Sequence, residues 1–383
     1  MRATVAGPTL TMVGTYPPTG CGLATFTRNL SVAIAAPSSG WSTQVVRLLE
    51  RGEVNEHNEV VAQWIAGDPA SFRRAVIAME SSDAVVLQHE YGLFSGPDGE
   101  AVLELIDAVR VPLVVVLHTV LRNPTTRQRQ ILNRLMMAAS KTVVQSRAAY
   151  DRLLVTYDAN PEKTVVIPHG AAENFAGPIL SGIKRPAILT WGLLGPGKGI
   201  EYGISALALL QHRSPAPTYI VAGETHPKVR AAQGERYRNT LVNQSRQLGL
   251  QDRVYFDDRY RDWESLRALV RSVDVVLLPY DSLDQVSSGV LVEAIASGKP
   301  VVATQFPHAE ELLFRGAGLC VPQGDVEAMA AALDQVLYAR GVATKMSVAA
   351  RLEAQDLLWP TVGAKYRSLI AEVLSSVAVI GVS

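Results

Sequence analysis

The stretch Ser287-Ser288-Gly289-Val290-Leu291-Val292-Glu293-Ala294-Ile295-Ala296-Ser297-Gly298-Lys299-Pro300-Val301-Val302-Ala303-Thr304 reads as a loop, a short helix and a β-strand in direct succession. Small residues at 287–289 let backbone N–H groups approach a ligand, and the helix behind them presents the positive end of its dipole. Glu293 falls about one turn inside that helix, where a carboxylate can accept hydrogen bonds from ribose or sugar hydroxyls. The unit suits a nucleotide diphosphate, and it implies an α/β protein with parallel strands.

Outward from this stretch, apolar β-branched runs alternate with helical patterns, the arrangement of a parallel sheet covered on both faces. Strands are expected at 9–14, 43–48, 60–65, 84–88, 113–118, 142–145 and 164–168. After a Gly- and Pro-containing linker over 173–185 the pattern restarts at 187–191, 218–222, 254–256, 273–278, 301–304 and 318–321. The chain of 383 residues is too long for one ordinary core. It is expected to form two doubly wound Rossmann-like domains, 1–178 and 183–359, with a tail, 360–383, that returns to the first and a bend at Pro360. Ligands of such sheets bind beyond the carboxyl ends of the strands.

Composition narrows the function. Lys plus Arg and Asp plus Glu both count 36, so no net field draws the chain to nucleic acid. Cys21 and Cys320 are too few and too far apart for a disulfide or metal framework and suit a reducing cytoplasm. No apolar run reaches the length of a membrane span. Over 121–141 the chain carries Arg122, Arg127, Arg129, Arg134 and Lys141 with no acid, beside Ile131, Leu132, Leu135, Met136 and Met137. This pattern fits a helix resting on the inner face of an anionic membrane, or one whose apolar stripe faces the core.

Candidate groups cluster at strand ends. Gly20 and Gly22 lie in a loop that leads from the first strand into a helix. His89 ends the fourth strand and His118 the fifth. Gly192 to Gly199 form a glycine-rich loop presenting Lys198, an ammonium that can neutralise a pyrophosphate, yet Lys198 lacks the Ser or Thr that would complete a P-loop. Glu224 and His226 follow the next strand, His226 as a loop hydrogen-bonding residue. Asp257 and Asp258 invite a metal reading, but adjacent strand residues face opposite ways, so no metal and no cofactor are expected.

Taken together, Thr15 to Thr25, His118-Thr119, Val166 to Gly170, Gly192 to Gly199 and Ser287 to Thr304 resemble, in order and across most of the chain, the retaining glycosyltransferases of family four, which have the GT-B fold. The opening Thr15-Tyr16-Pro17-Pro18, Cys21 to Phe26 and Leu117 to Leu121 look like a bacterial branch of that family. The resemblance implies transfer of a hexose, mannose or glucose, from GDP-mannose or a UDP-sugar to a glycan, lipid-linked or small-molecule acceptor, without a metal. It implies that Glu293 holds the donor ribose, that Lys198, Gly192, Gly197 and the N–H groups of Ser288, Gly289 and Val290 hold the diphosphate, and that His118 lies near the reacting sugar. Gly20 and Gly22 would form a loop over phosphate or acceptor. The chain departs from the family pattern twice: Gln285 stands at the catalytic place of the first of two spaced glutamates, where it would still hydrogen-bond a sugar hydroxyl but without charge, and Leu193 stands where many members have arginine. Those departures leave open a noncatalytic nucleotide-sugar-binding partner, beside an epimerase or phosphorylase on the same scaffold.

Overall fold

The computed structural model describes residues 7–53, 57–259, 261–282 and 285–380; the last three residues of the expected tail lie outside them. The chain divides into two compact units, one up to Gly170 and again from Trp359 onward, the other Ala171–Leu358.

The first unit is built on β1 (Thr9–Gly14), β2 (Ser42–Leu49), β3 (Val60–Ile65), β4 (Ala84–His89), β5 (Leu113–Leu117), β6 (Lys141–Val144) and β7 (Thr164–Val166), in the order β3-β2-β1-β4-β5-β6-β7. All described pairings are parallel. The second holds β8 (Ala187–Trp191), β9 (Thr218–Ala222), β10 (Val254–Asp257), β11 (Val275–Leu278), β12 (Val301–Thr304) and β13 (Gly318–Val321), in the order β10-β9-β8-β11-β12-β13, again parallel. Every strand expected from the β-branched runs is present, with ends shifted by at most two residues. Helices cover both faces, so the central strands are dry: Val275, Val276, Leu277 and Leu278 of β11 are all fully buried. Truncating one such leucine to alanine costs about 2–5 kcal/mol.

Each order has one reversal of winding, between β1 and β4 in the first unit and between β8 and β11 in the second. At such a point the neighbouring connections leave on opposite faces and open a crevice at the strand carboxyl ends. The loops with Gly20 and Gly22, Lys198 and Ser288 follow β1, β8 and β11, and His89 ends β4, whereas His118 follows β5 and Glu224 and His226 follow β9.

The stretch 173–185 is not a free tether. Asn174 is buried and donates to Arg267 O and to Ser297 Oγ at 3.2 and 3.0 Å, and Leu180 N donates to Ser272 Oγ at 2.7 Å. Its polar groups are therefore satisfied on the second unit. The last helix, Trp359–Ile380, begins with Pro360 in its first turn, where a missing N–H costs nothing, so the proline starts a helix and bends nothing. That helix packs on helix Gly22–Ile34, with Arg367 donating to Ala33 O at 2.7 Å.

The basic segment forms helix Thr126–Ala138, opened by a Thr125/Gln128 capping box. Ile131, Leu132, Leu135 and Met136 are buried, so the apolar stripe serves the core. Arg129 donates to Thr156 O and lies over the Tyr157 ring, Arg134 pairs with Asp107, and Lys141 with Glu372. Among the described residues no helix is long and apolar enough to cross a membrane.

Candidate functional site

At the winding reversal of the second unit, two loops are locked together by glycine. Gly199 caps helix Ile200–Leu209 in the left-handed region (φ +61°), and a Cβ there would stand 1.8 Å from the Pro279 carbonyl oxygen. Only a residue without a side chain lets the loop after β8 meet the loop after β11. Asp281 N then donates to Gly197 O at 3.3 Å. On the other side β8 and β9 end flush, Trp191 opposite Ala222, and Leu194 N donates to Glu224 O while His226 N donates to Leu194 O, both at 2.8 Å. Lys198 is thereby held with its Nζ 4.5 Å from the centre of the Tyr280 ring. Among the described residues no carboxylate pairs with it, so its charge is available to an anion.

Helix Gly289–Ala296 starts beside this loop: the place a Gly192 Cβ would take is 3.7 Å from Val290 Cγ2. Ser288 is the N-cap, its Oγ accepting from Leu291 N at 3.2 Å. The Ser288 N–H is not open to a diphosphate as the resemblance implies, because it donates to His308 Nδ1 at 2.8 Å. The N–H groups of Gly289 and Val290, which no helical carbonyl can accept, are the ones left facing the helix end. Gln285 also behaves differently from expectation: its Nε2 donates to Ser287 O, folding the side chain onto its own loop.

Glu293 is partly buried, and desolvation pushes its pKa up to about 7, moderated by a hydrogen bond from Trp191. Glu293, Trp191, Gly192 and Val290 thus form one wall. The carboxyl binds its proton more tightly folded than unfolded, so the stability it contributes falls as pH rises from the ordinary carboxylate range through about 7. Glu293→Gln keeps an oxygen for Trp191 and removes the charge. Melting curves are expected to show Glu293→Gln more stable than the parent by about 1–3 kcal/mol at pH 8 and nearly equal to it at about pH 4, below the unfolded carboxyl's pKa; an offset independent of pH would exclude this origin.

The other candidates of this unit have local partners. Glu224 lies 3.7 Å from Arg230, and His226 caps helix Pro227–Gln233, its Nδ1 accepting from Lys228 N at 3.2 Å. Burial, then Lys228 and Lys198, lower the His226 pKa. Asp257 is clamped by Arg259 and Arg261, at 2.9 and 2.5 Å. Among the described residues no three His, Cys, Asp or Glu side chains gather as a metal site.

In the first unit the loop from Thr15 to Cys21 is tied down. Tyr16 OH donates to Glu59 at 2.8 Å, and the fully buried Arg47 donates to Thr19 Oγ1 at 2.9 Å and Glu53 at 2.7 Å. Gly20 sits in this anchored loop, and Gly22 opens helix Gly22–Ile34, capped by Cys21 Sγ. A Cβ at Gly22 would meet nothing within 4 Å, so close packing does not demand a glycine there. His89 is wholly buried between Tyr91 and Phe94, its ring nitrogens without hydrogen-bond partners among the described residues and its pKa driven down to about 4 by desolvation. It is a core residue out of reach of a substrate.

His118 is bracketed by two glutamines, Gln88 Oε1 at Nε2 (2.8 Å) and Gln145 Nε2 at Nδ1 (3.1 Å), its ring centre 4.8 Å from that of Phe26 and the two rings nearly perpendicular. Desolvation, then His169 and His89, lower its pKa to about 3. The ring is neutral with its Nε2–H given to Gln88, so in this arrangement it is a positioned wall and does not shuttle protons. Phe26 also meets His169 and Trp359, at 4.9 and 5.4 Å. Arg47, His308 and the Gln88–Gln145 bracket are features not legible in the sequence; only Gln88 and Gln145, polar residues at or just beyond strand ends, carry a local signal.

The family model described as "Glycosyl transferases group 1" matches residues 175–353, and that described as "Glycosyltransferase Family 4" matches 21–174. The D-inositol 3-phosphate glycosyltransferase of Corynebacterium efficiens is 26% identical over 302 residues, 70% of this chain and 68% of that one. The MMP alpha-(1->4)-mannosyltransferase of Mycolicibacterium hassiacum is 24% identical over 84% of this chain and 79% of its own. Among solved structures, sucrose-phosphate synthase from Thermosynechococcus elongatus superposes with a TM-score of 0.78 at 18% identity, covering 97% and 100% of the two chains. HepE of Anabaena in complex with UDP-glucose gives 0.73 at 20% over the same shares.

Proposed function

The chain belongs to the glycosyl transferases of group 1 and family 4, and on that premise we propose that it moves a hexose from a nucleoside diphosphate sugar to an acceptor hydroxyl with retention at the anomeric carbon. The observation that carries this reading is the convergence at β8 and β11: an ammonium and two helix-start N–H groups without partners among the described residues, and a desolvated carboxyl, beside one set of locked loops. Lys198 and the Gly289 and Val290 N–H groups take the diphosphate, and Glu293 takes the ribose. The bond between the anomeric carbon and the diphosphate oxygen breaks as the acceptor oxygen attacks from the same side, and the acceptor proton passes to the departing phosphate. Stabilising the charge that grows on the leaving group is then the main catalytic term, and no protein nucleophile is needed.

Glucose or mannose is the sugar this reading favours. HepE is solved with UDP-glucose, and one relative is named a mannosyltransferase, which supports UDP-glucose and GDP-mannose as the donors to test first. Incubated with each and followed by mass spectrometry, the protein is expected to release nucleoside diphosphate and free hexose slowly from one of them. Conversion of one donor into another would show an epimerase, and donor binding without any turnover would overturn the transferase assignment of this site.

A further inference from the structure

The segment Thr304–His308, which starts at the last residue of β12, holds both halves of the diphosphate site, although none of its residues faces the ligand in the function proposed above. Thr304, Phe306 and His308 are all but fully buried. Thr304 Oγ1 donates to Tyr280 O, and the Phe306 ring lies 5.1 Å from that of Tyr280, whose face carries Lys198 Nζ. Two residues further on, His308 Nδ1 accepts the Ser288 N–H at 2.8 Å. One five-residue segment therefore supports the aromatic platform under the ammonium and latches the first turn of the opposing helix.

We infer that His308 is a positioning residue for the diphosphate, acting through Ser288 to decide which helix N–H groups stay open. The inference rests on the function proposed above. A buried Ser288 N–H needs an acceptor. With an unprotonated Nδ1 fixed at that place, Ser288 stays extended (φ −144°, ψ 106°), its Oγ remains on Leu291 N, and Gly289 and Val290 are presented in a single orientation. Without the acceptor, the Ser288 N–H is free to turn toward the phosphates and the helix start loses its register. Misplacement of a positioned donor by an ångström costs on the order of a hundredfold in rate.

Three substitutions separate positioning from bulk packing. Asparagine places its Oδ1 close to where Nδ1 stands, glutamine carries its oxygen one bond too far, and leucine offers no acceptor. Calorimetry with UDP and GDP, and with uridine and guanosine as controls, reads the diphosphate contribution separately from the base and ribose. His308→Leu and His308→Gln are expected to weaken binding of the preferred diphosphate about tenfold to a hundredfold and to leave the nucleoside unchanged, with His308→Asn within threefold of the parent. The same ranking is expected in kcat, with the acceptor KM unmoved. His308→Gln binding the diphosphate like the parent would overturn the role, as would equal losses for diphosphate and nucleoside. Should His308→Leu not fold, the Asn and Gln pair decides alone. A parent protein that binds neither diphosphate removes the functional reading itself, whereas a parent that binds normally beside unaffected variants removes only the part assigned to His308.

Discussion

Lys198→Ala is expected to lower kcat by about two to three orders of magnitude while the protein melts within a degree or two of the parent. The rate loss follows from position: the ammonium is half-buried, lacks a carboxylate partner among the described residues, and is aimed by a loop whose path is set by Gly192, Gly197 and Gly199. With Leu193 in the neighbouring position, no arginine shares the task. The small effect on stability follows from the same geometry. The side chain contributes one cation–π contact, worth about 0.5–1 kcal/mol, and the backbone of the loop does not depend on it. Steady-state rates with the preferred donor, set beside thermal melts, decide the matter. Activity within threefold of the parent would leave Lys198 a surface lysine.

Gly199→Ala should do the reverse, damaging the fold first. The added methyl would stand 1.8 Å from the Pro279 carbonyl oxygen, at a backbone φ of +61° that disfavours any side chain. Relief requires the loops after β8 and β11 to part, which also releases the Asp281 N–H from Gly197. We expect a loss of about 3 kcal/mol or more, or some 6–12 °C in Tm for a unit of this size. Gly22→Ala is the control: nothing stands within 4 Å of its Cβ and its φ is not positive, so it should be neutral or stabilise by up to about 1 kcal/mol. Equal melting of the two variants would mean that the β8 and β11 loops are not locked as described.

These two glycines show which part of the site a sequence displays. Gly199 stands in a dense run of glycines after a strand, and Ser288-Gly289 before an apolar helix, so both loops are visible from local pattern. The strands are visible for the same reason, because a short apolar run such as Val275 to Leu278, between polar or turn-forming flanks, has few alternatives in a chain of this length. Contacts between side chains and distant backbone carry no period. Nothing near Ser288 announces that a histidine twenty positions later takes its N–H, and nothing around His118 announces that Gln88 and Gln145 occupy its two nitrogens. Arg47 reads as one residue of an ordinary strand until the Thr19 loop is seen folded onto it. The resemblance to a family carried roles to Ser288 and His118 by alignment alone, and burial with prior hydrogen bonding is what changes those roles.

The crossing from the first unit into the second, at Gly170 and Ala171, and the return, at Leu358 and Trp359, have their own consequence. Ala171 N donates to Leu357 O at 2.8 Å, and Ala171 bridges Leu358. Residues 171–358 therefore form a cassette whose entry and exit are joined by a single β-bridge, inserted into the host made by the rest of the chain. An insert with adjacent ends imposes little closure entropy on its host. Because its ends are adjacent, this segment is the part of the chain whose exchange for the equivalent segment of another chain would disturb the host backbone least.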